Sequence, residues 1–189
     1  MKKSGLVTLA VAVSLFMLGA CHNSGKSSVN NADSANAAKR DSGVVNLNKD
    51  EAKFMVNAAN GGMTEVRLSQ IAQQKSQNAR VKDFADMMVR DHTQANNKLK
   101  ALANAKNITL PDSLSNDSQD KVSKLEKQSG RDFDKTYMNI MVDDHKSAVD
   151  DFQDELKDVK NPDLKQFIST TLPTLQMHLD SAQAIDKMY

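Results

Sequence analysis

Apolar residues recur at helical spacing in four long stretches of the chain. In the second and fourth stretches they alternate between steps of four and three residues, which places them on one face of an α-helix. The second stretch carries Val81, Ala85, Met88, His92, Ala95, Leu99 and Leu102, and the fourth carries Leu164, Ile168, Thr171, Leu175, His178, Ala182 and Ile185. Each stretch is therefore predicted to form an amphipathic helix that buries this face.

The first and third stretches show the same pattern less regularly. The first carries Phe54, Ala58, Gly61, Glu65, Leu68 and Ala72, and the third carries Tyr137, Met141, His145, Ala148, Phe152, Leu156 and Val159. Aromatic residues make up only 4% of the chain, and glycine and proline are scarce. This composition also favours an all-α domain.

The breaks between the stretches indicate how the helices are connected. Asn78 is expected to cap a helix after a short first connection, and Asn161-Pro162-Asp163 separates the third stretch from the fourth. Between these hairpins, residues 107–130 contain Pro111 and a shorter amphipathic segment, which Gly130 is expected to end. Two helical hairpins joined by a long connection with a short extra helix predict a ferritin-like four-helix bundle.

Two features interrupt the helical pattern. Gly61 and Gly62 lie in mid-helix, where each costs about 1 kcal/mol relative to alanine. They indicate either a close approach of two helices or a local break. Pro173 lacks a backbone donor and is expected to kink the last helix about one turn before His178.

The first twenty residues have the features of a secretory signal peptide. Lys2 and Lys3 precede an apolar run of about thirteen residues, which is too short to cross a membrane. The run ends in Leu18-Gly19-Ala20-Cys21, which resembles a bacterial lipobox and implies cleavage before Cys21 and lipidation of that residue. An ordinary cleaved signal peptide is the alternative. A lipid on Cys21 would anchor the protein in the bacterial cell envelope. No acidic cluster follows Cys21, and resemblance to bacterial lipoprotein sorting signals then implies the periplasmic face of the outer membrane.

The remainder of the chain divides into a tether and one domain. Residues 21–48 are poor in large apolar side chains and are predicted to form a flexible tether after the lipid. Residues 49–189 are predicted to form the bundle. The formal charge is +1, and losing Lys2 and Lys3 with the signal peptide changes it to −1. Such a balance provides no basic face for nucleic acid, and the sequence identifies no protein partner.

Four polar residues, Glu65, His92, His145 and His178, lie on the otherwise apolar helix faces. Counted from the hairpin loops, the partners in each hairpin agree in depth within about one helical turn. We therefore expect the four side chains to meet near the middle of the bundle. Three imidazoles and one carboxylate suit zinc, copper or iron. The same residues can also form a closed hydrogen-bonded network that holds no metal.

Five further residues are expected to lie close to this polar layer. Asp91 and Asp144 directly precede two of the histidines, so their carboxylates are candidates for orienting neighbouring groups. Met88 and Met141 lie one turn before the same histidines, and Tyr137 lies one turn before Met141. Methionine at such positions is more typical of gap-filling core than of a copper ligand.

The sequence does not favour di-iron oxidase chemistry. That chemistry uses Glu-x-x-His motifs, whereas Val89, Val142 and Leu175 stand three residues before the histidines. No serine lies in a G-x-S-x-G motif, and Cys21 is the only cysteine. Three hypotheses stay open: an envelope protein that binds a metal or small ligand, a structural or partner-binding module, and a mononuclear metal enzyme.

Several motifs taken together resemble domain-of-unknown-function family 4142. They are Ala58-Ala59-Asn60-Gly61-Gly62-Met63-Thr64-Glu65-Val66, Val81-Lys82-Asp83-Phe84-Ala85, Met88-Val89-Arg90-Asp91-His92, Gly130-Arg131-Asp132-Phe133-Asp134 and Leu172-Pro173-Thr174-Leu175. The resemblance spans residues 50–185 and implies a ferritin-like helical bundle in the bacterial envelope, with no established reaction. Ser69 stands where the family pattern leads us to expect glycine, and Met141 stands where many members have glutamine.

Overall fold

A computed structural model describes residues 27–45 and 47–189 of the chain. Within these ranges every regular element is an α-helix, which confirms the all-α prediction. The helices are α1 (Ser28–Asp41), α2 (Lys49–Lys75), α3 (Ala79–Ala105), α4 (Asn116–Glu126), α5 (Gly130–Asp158) and α6 (Pro162–Asp186). No helix in the described part is long and apolar enough to cross a membrane. The predicted signal peptide and Cys21 lie outside the described residues.

The four long helices form two hairpins that pack on each other. Residues 76–78 join α2 to α3, and residues 159–161 join α5 to α6. Beyond these pairs, α2 contacts α5 and α3 contacts α6, so each long helix packs against two others. The short α4 lies in the connection between the hairpins and packs on α2 and α5. The structure thus agrees with the predicted hairpins, long connection and extra helix.

The start of α2 is tied to the loop of the second hairpin through Glu51. Asn48 caps α2 by accepting hydrogen bonds from the backbone of Asp50 and Glu51, both at 2.9 Å, and Glu51 Oε2 accepts one from the backbone of Asn48 at 3.1 Å. The other oxygen, Oε1, accepts hydrogen bonds from the backbone nitrogens of Lys160 at 2.7 Å and Asn161 at 2.9 Å. The buried carboxylate of Glu51 therefore satisfies backbone N–H groups at the start of α2 and in the loop before α6, and it holds these two segments together.

The other helix ends follow the predicted capping residues, with one exception. Asn78 caps α3 by accepting a hydrogen bond from the backbone of Arg80 at 2.9 Å, and Asn161 caps α6. The sequence predicts that Gly130 ends the short helix, and this prediction is wrong. Instead α4 ends at Glu126, and Gly130 is the first residue of α5. Its φ of 56° is a conformation that glycine adopts without steric cost.

The core consists of two apolar clusters that occupy opposite halves of the long helices. The first apolar cluster includes Phe54, Met55, Leu99, Phe152, Leu164 and Ile168. The second apolar cluster includes Leu68, Phe84, Met88, Phe133, Tyr137 and Met141. Along α2, α3, α5 and α6, residues of one cluster come first and residues of the other follow. The boundary between the clusters is where the four polar residues of the predicted layer lie.

The glycine pair and the proline lie within continuous helices. Gly61 and Gly62 are inside α2, so they mark no break in that helix. Pro173 is inside α6, where its missing N–H leaves the carbonyl of Ser169 without the usual helical donor.

Residues 28–41 form α1, so the predicted flexible tether over 21–48 is wrong for this segment. The helix contacts α2, and its Ala32 and Asn36 side chains are buried. Asn36 Nδ2 donates to the carbonyl of Thr109 at 2.9 Å, and Asn36 Oδ1 accepts from the backbone nitrogen of Thr109 at 2.7 Å. Hydrogen bonds and the burial of a small alanine hold α1 in place. Its sequence therefore contains none of the large apolar residues by which a packed helix is usually predicted.

Candidate metal centre

Glu65, His92, His145 and His178 meet between the two apolar clusters. Each comes from a different long helix, and each is at most 5% exposed. Glu65 lies on α2, His92 on α3, His145 on α5 and His178 on α6. The sequence predicts that the four residues lie at the same depth in the bundle, and in the structure their side chains meet there.

The three imidazoles point one nitrogen each towards a common centre. His92 Nε2 lies 3.3 Å from His145 Nε2 and 3.2 Å from His178 Nδ1. The ligand atoms of the three histidines all lie within 4.8 Å of one another. We call these three atoms the inward nitrogens, and the second nitrogen of each ring the outer nitrogen.

Glu65 holds the outer nitrogens of two of the histidines. Glu65 Oε2 lies 2.9 Å from His92 Nδ1, and Oε1 lies 3.4 Å from His145 Nδ1. His145 Nδ1 also lies 2.9 Å from the backbone carbonyl of Met141, one turn earlier on α5. Glu65 therefore orients two rings from outside the centre, and the prediction that it joins the histidines as a direct ligand does not match its position.

The outer nitrogen of the third histidine is held by Asp91. His178 Nε2 lies 3.1 Å from Asp91 Oδ2. Asp91 comes from α3 and precedes His92 in sequence, but its carboxylate contacts the histidine on α6. Arg90 donates to the other oxygen, Asp91 Oδ1, at 2.8 Å. Asp91 thus contacts the layer, as predicted for an orienting residue. Its partner is a histidine on another helix and not its neighbour in sequence.

These outer contacts determine where the lone pairs of the rings lie. A neutral imidazole has one N–H donor and one acceptor nitrogen. Every outer nitrogen faces an acceptor oxygen, so the outer nitrogen is the protonated one in each neutral ring. All three inward nitrogens then present lone pairs to the same point. A cation between the rings, either a metal ion or a proton on one ring, stabilises such an arrangement.

The electrostatics favour an ionised Glu65 beside a protonated His92 when no metal is bound. Burial alone would raise the pKa of Glu65, but the positive charges of His92, His145 and His178 and the hydrogen bond from His92 lower it to about 2. Burial alone would lower the pKa of His92, yet the charge and hydrogen bond of Glu65 raise it above its ordinary value. In the metal-free layer Glu65 and His92 therefore form an ion pair, and the proton on His92 Nε2 faces the neutral rings of His145 and His178.

The other two histidines favour their neutral forms. Burial lowers the pKa of His145 more than the nearby Glu65 raises it. Burial and the neighbouring positive imidazoles lower the pKa of His178 to about 4, despite its hydrogen bond with Asp91. Neutral imidazole is the form that binds metals.

The spacing of the inward nitrogens fits a single metal ion. Tetrahedral coordination with zinc–nitrogen bonds of about 2.0–2.1 Å places ligand nitrogens roughly 3.3–3.4 Å apart. The two nitrogen–nitrogen distances of 3.3 and 3.2 Å from His92 are close to this value. The nitrogens of His145 and His178 lie within 4.8 Å of each other. The three histidines therefore form a set of borderline nitrogen donors in which two of the three spacings already suit an ion.

Asp144 has a lysine partner, and the two methionines belong to the apolar core, which is the more typical role of methionine at such positions. Asp144 forms an ion pair with Lys121 of α4, and burial raises the pKa of its carboxyl despite that partner. Met88 and Met141 are fully buried in the second apolar cluster. Their position one turn from the histidines makes them the apolar floor of the layer.

Tyr137 has a polar partner that the sequence does not reveal. Its hydroxyl lies 2.8 Å from Ser69 Oγ, and both side chains are fully buried. Burial raises the pKa of the Tyr137 hydroxyl and outweighs the hydrogen bond with Ser69. Ser69 replaces an expected glycine, so its role as a hydrogen-bond partner could not be deduced from the family pattern.

A cavity of about 830 Å³ reaches the layer from the side of α2 and α5, and Glu65 and His92 lie in its wall. Gly62 and Asn96 also line it, next to one another across α2 and α3. A Cβ atom on Gly62 would lie 2.1 Å from Asn96 Oδ1, whereas one on Gly61 would meet nothing within 4 Å. Gly62 is thus the glycine at which α2 and α3 approach closely. The sequence pattern instead places Gly61 on the buried face.

A family model for a domain of unknown function (DUF4142) matches residues 34–185. The chain belongs to this family. The matched region includes most of the domain and the second half of α1. The comparison with curated proteins gives no match.

Two solved structures share the helical fold. A DUF305 fragment from Deinococcus radiodurans matches with a TM-score of 0.68 and 12% identity, over 76% of this chain and 99% of the fragment. CopM in its silver-bound form matches with a TM-score of 0.58 and 13% identity, over 74% of this chain and 96% of that protein. At these identities the likeness concerns the fold alone.

Proposed function

We propose that this DUF4142 protein binds one transition metal ion through His92 Nε2, His145 Nε2 and His178 Nδ1. The observation that carries the proposal is the convergence of three inward nitrogens whose outer partners are all held by acceptors. Acceptors on the outer nitrogens fix the ring orientation and raise the basicity of the ligand nitrogens. A chain that needed only packing at this depth would require no such arrangement.

The donor set favours a borderline metal over a hard one. Imidazole nitrogens suit zinc, copper, iron and nickel, whereas magnesium and calcium prefer oxygen ligands. Three protein nitrogens also leave room for a further ligand on a four-coordinate ion. We place zinc first because the two nitrogen–nitrogen distances from His92 fit tetrahedral coordination. In one protein of similar fold, CopM, silver is bound in the solved structure, which supports a metal in a helical domain of this kind.

A closed network without metal is the second candidate function of the layer. It is favoured by the raised pKa of His92 and the lowered pKa of Glu65. A proton on His92 Nε2 then supplies the cation between the rings, and the layer has a purely structural role. In that case the protein is a structural or partner-binding module.

The wider setting is also part of the proposal. We place the domain in the bacterial cell envelope, anchored by a lipid on Cys21 and facing the periplasm. The four long helices form a ferritin-like bundle around the layer. A mononuclear metal enzyme is the alternative activity, because a three-nitrogen site leaves a coordination position for a substrate or water.

Metal content and thermal unfolding of the full chain test the proposal. The protein is purified from bacterial envelopes, its metals are measured by mass spectrometry, and it is melted with and without chelator. We expect about one metal per chain and a lower melting temperature with chelator, because an ion bound only by the folded state stabilises it. His145→Gln should remove both effects, and His22→Gln, which alters the one histidine outside the layer, should leave them unchanged.

The opposite result has a clear meaning. A chain without bound metal, with the same melting temperature in chelator and in added zinc, copper or iron, would assign the layer to the closed network. The partner-binding hypothesis would then be the one to pursue.

A further inference from the structure

We propose that the cavity beside the layer is the route by which the metal ion reaches the three histidines, and that its carboxylates speed the ion's capture. This inference rests on the proposed metal-binding function. It concerns how a buried site is filled, since the three histidines are at most 4% exposed.

The first observation is the position of the cavity. Its wall includes Glu65 and His92 of the layer at one end and Asp50 and Lys53 in the first turns of α2 at the other. Asp50 and Lys53 are exposed to solvent. The cavity therefore connects solvent with His92, one of the three proposed ligands, and with Glu65, which orients it.

The second observation is the charge of the cavity wall. It contains seven carboxylate side chains, two lysines and the protonated His92, an excess of four negative charges in the metal-free protein. A cleft lined by one sign of charge concentrates ions of the opposite sign and raises their association rate. His92, which carries one of the three inward nitrogens, lies at its inner end and supplies a ligand that an acidic surface alone would lack.

The third observation is the order of the carboxylates along α5. Asp144, Asp151, Glu155 and Asp158 are separated by seven, four and three residues, and all four line the cavity. Such steps place them on one face of the helix, leading towards His145. Like charges at this spacing destabilise a helix. Burial and neighbouring carboxylates raise the pKa of both Asp151 and Glu155, as expected where the negative charges are not fully neutralised.

Lys121 neutralises Asp144, the cavity carboxylate of α5 that lies closest to His145 in sequence. It reaches from α4 to form an ion pair with Asp144, which directly precedes His145. A positive charge at this point opposes the passage of a cation. Removing it should therefore increase the rate of capture, which is the reverse of the effect expected for the carboxylates.

The test is stopped-flow mixing of the metal-free full chain with Co²⁺, followed by the visible absorption of the bound ion. At low ionic strength, the Asp151→Asn/Glu155→Gln variant should bind about tenfold more slowly, within the range known for electrostatic steering. The difference should shrink at physiological salt, where the Debye length falls to about 8 Å. Lys121→Met should bind several-fold faster.

Asp83→Asn/Asp86→Asn provides a matched control. It removes the same number of charges from α3, at six and nine residues from His92, compared with six and ten residues from His145 in the test variant. Neither residue lines the cavity. Its association rate should stay within twofold of the wild type.

The outcomes separate the two proposals. If the wild type binds Co²⁺ and the Asp151→Asn/Glu155→Gln variant matches the wild type or the control, the route is wrong while the metal site stands. If Lys121→Met does not accelerate binding, the opposing role of Lys121 is wrong. If the wild type shows no Co²⁺ absorption, the proposed metal site is itself overturned, and the route with it.

Discussion

Asp91 on α3 accepts a hydrogen bond from His178 Nε2 on α6 at 3.1 Å, although its neighbour in sequence is His92. The contact fixes the proton of His178 on the outer nitrogen and leaves Nδ1 free to bind an ion. It also links the two hairpins at the depth of the layer, because α3 and α6 belong to different hairpins. The metal affinity of the site should therefore depend on a residue that binds no metal.

Replacing Asp91 with asparagine should weaken metal binding about 10- to 100-fold, the usual cost of losing a partner that orients a ligand histidine. The asparagine amide can donate to His178 Nε2 and so favours the tautomer whose proton lies on the inward nitrogen. Competition with a chelator of known affinity measures the change. Asp86→Asn, the same substitution elsewhere on α3, should leave the affinity unaltered, and equal weakening in both variants would contradict the explanation.

The metal-free protein should lose stability in acid through Glu65. Its pKa is lowered to about 2 in the folded state, compared with about 4.3 for an unperturbed glutamate. A lowered folded pKa stabilises the fold above the unfolded pKa, and this contribution is lost as pH falls through the window from about 4 to 2. The loss should be about 3 kcal/mol.

Urea unfolding in chelator at several pH values measures this loss. The Glu65→Gln variant has no carboxyl group to protonate at this position, so its free energy of unfolding should fall less between pH 4 and pH 2. Parallel pH curves for the two proteins would contradict the assigned role of Glu65.

The two adjacent glycines of α2 should respond differently to alanine. Gly61→Ala should stabilise the protein by up to about 1 kcal/mol, because the new Cβ meets nothing and alanine favours the helix. Gly62→Ala should gain less or lose stability, because Asn96 must move away from the new Cβ. Adding Asn96→Ala should restore the gain at Gly62. Urea unfolding of the four proteins checks this order, and equal effects of the two single substitutions would argue against the close contact.

Ser69 and Tyr137 should be coupled in stability. Ser69→Ala or Tyr137→Phe alone leaves a buried hydroxyl without its partner, at a cost of about 1–3 kcal/mol. The double variant removes both groups and should cost less than the sum of the two single changes. A double-mutant cycle by urea unfolding measures this coupling, and additive effects would show that the hydroxyls do not depend on each other.

The sequence predicts the helices and the depth of the layer well, because period and loop length constrain both. His92 and His178 lie on regular apolar faces, and the short hairpin loops fix how far along each helix they meet their partners. Side-chain direction is harder to predict. Glu65 could bind the metal directly or hydrogen-bond to the outer nitrogens of the histidines. The choice depends on side-chain rotamers that the packing of the whole layer determines, and no pattern within one helix reveals them.

Other features escape prediction because they depend on contacts between distant segments. Asn36 of α1 forms hydrogen bonds with the backbone of Thr109, 73 residues away. The local composition carries no sign of this distant partner, so it predicts an unstructured segment. Gly61 and Gly62 differ by one residue in helical phase, and only the position of Asn96 shows which of them faces α3.

The folding of α1 changes how far the domain can stand from the membrane. A tether from Cys21 to residue 48 would allow the domain to range over a wide volume. With the proposed lipid on Cys21, only six residues separate the anchor from the start of α1 at Ser28. Even a fully extended segment of that length spans at most roughly 25 Å. The start of α1 would therefore stay within about one bilayer thickness of the lipid surface.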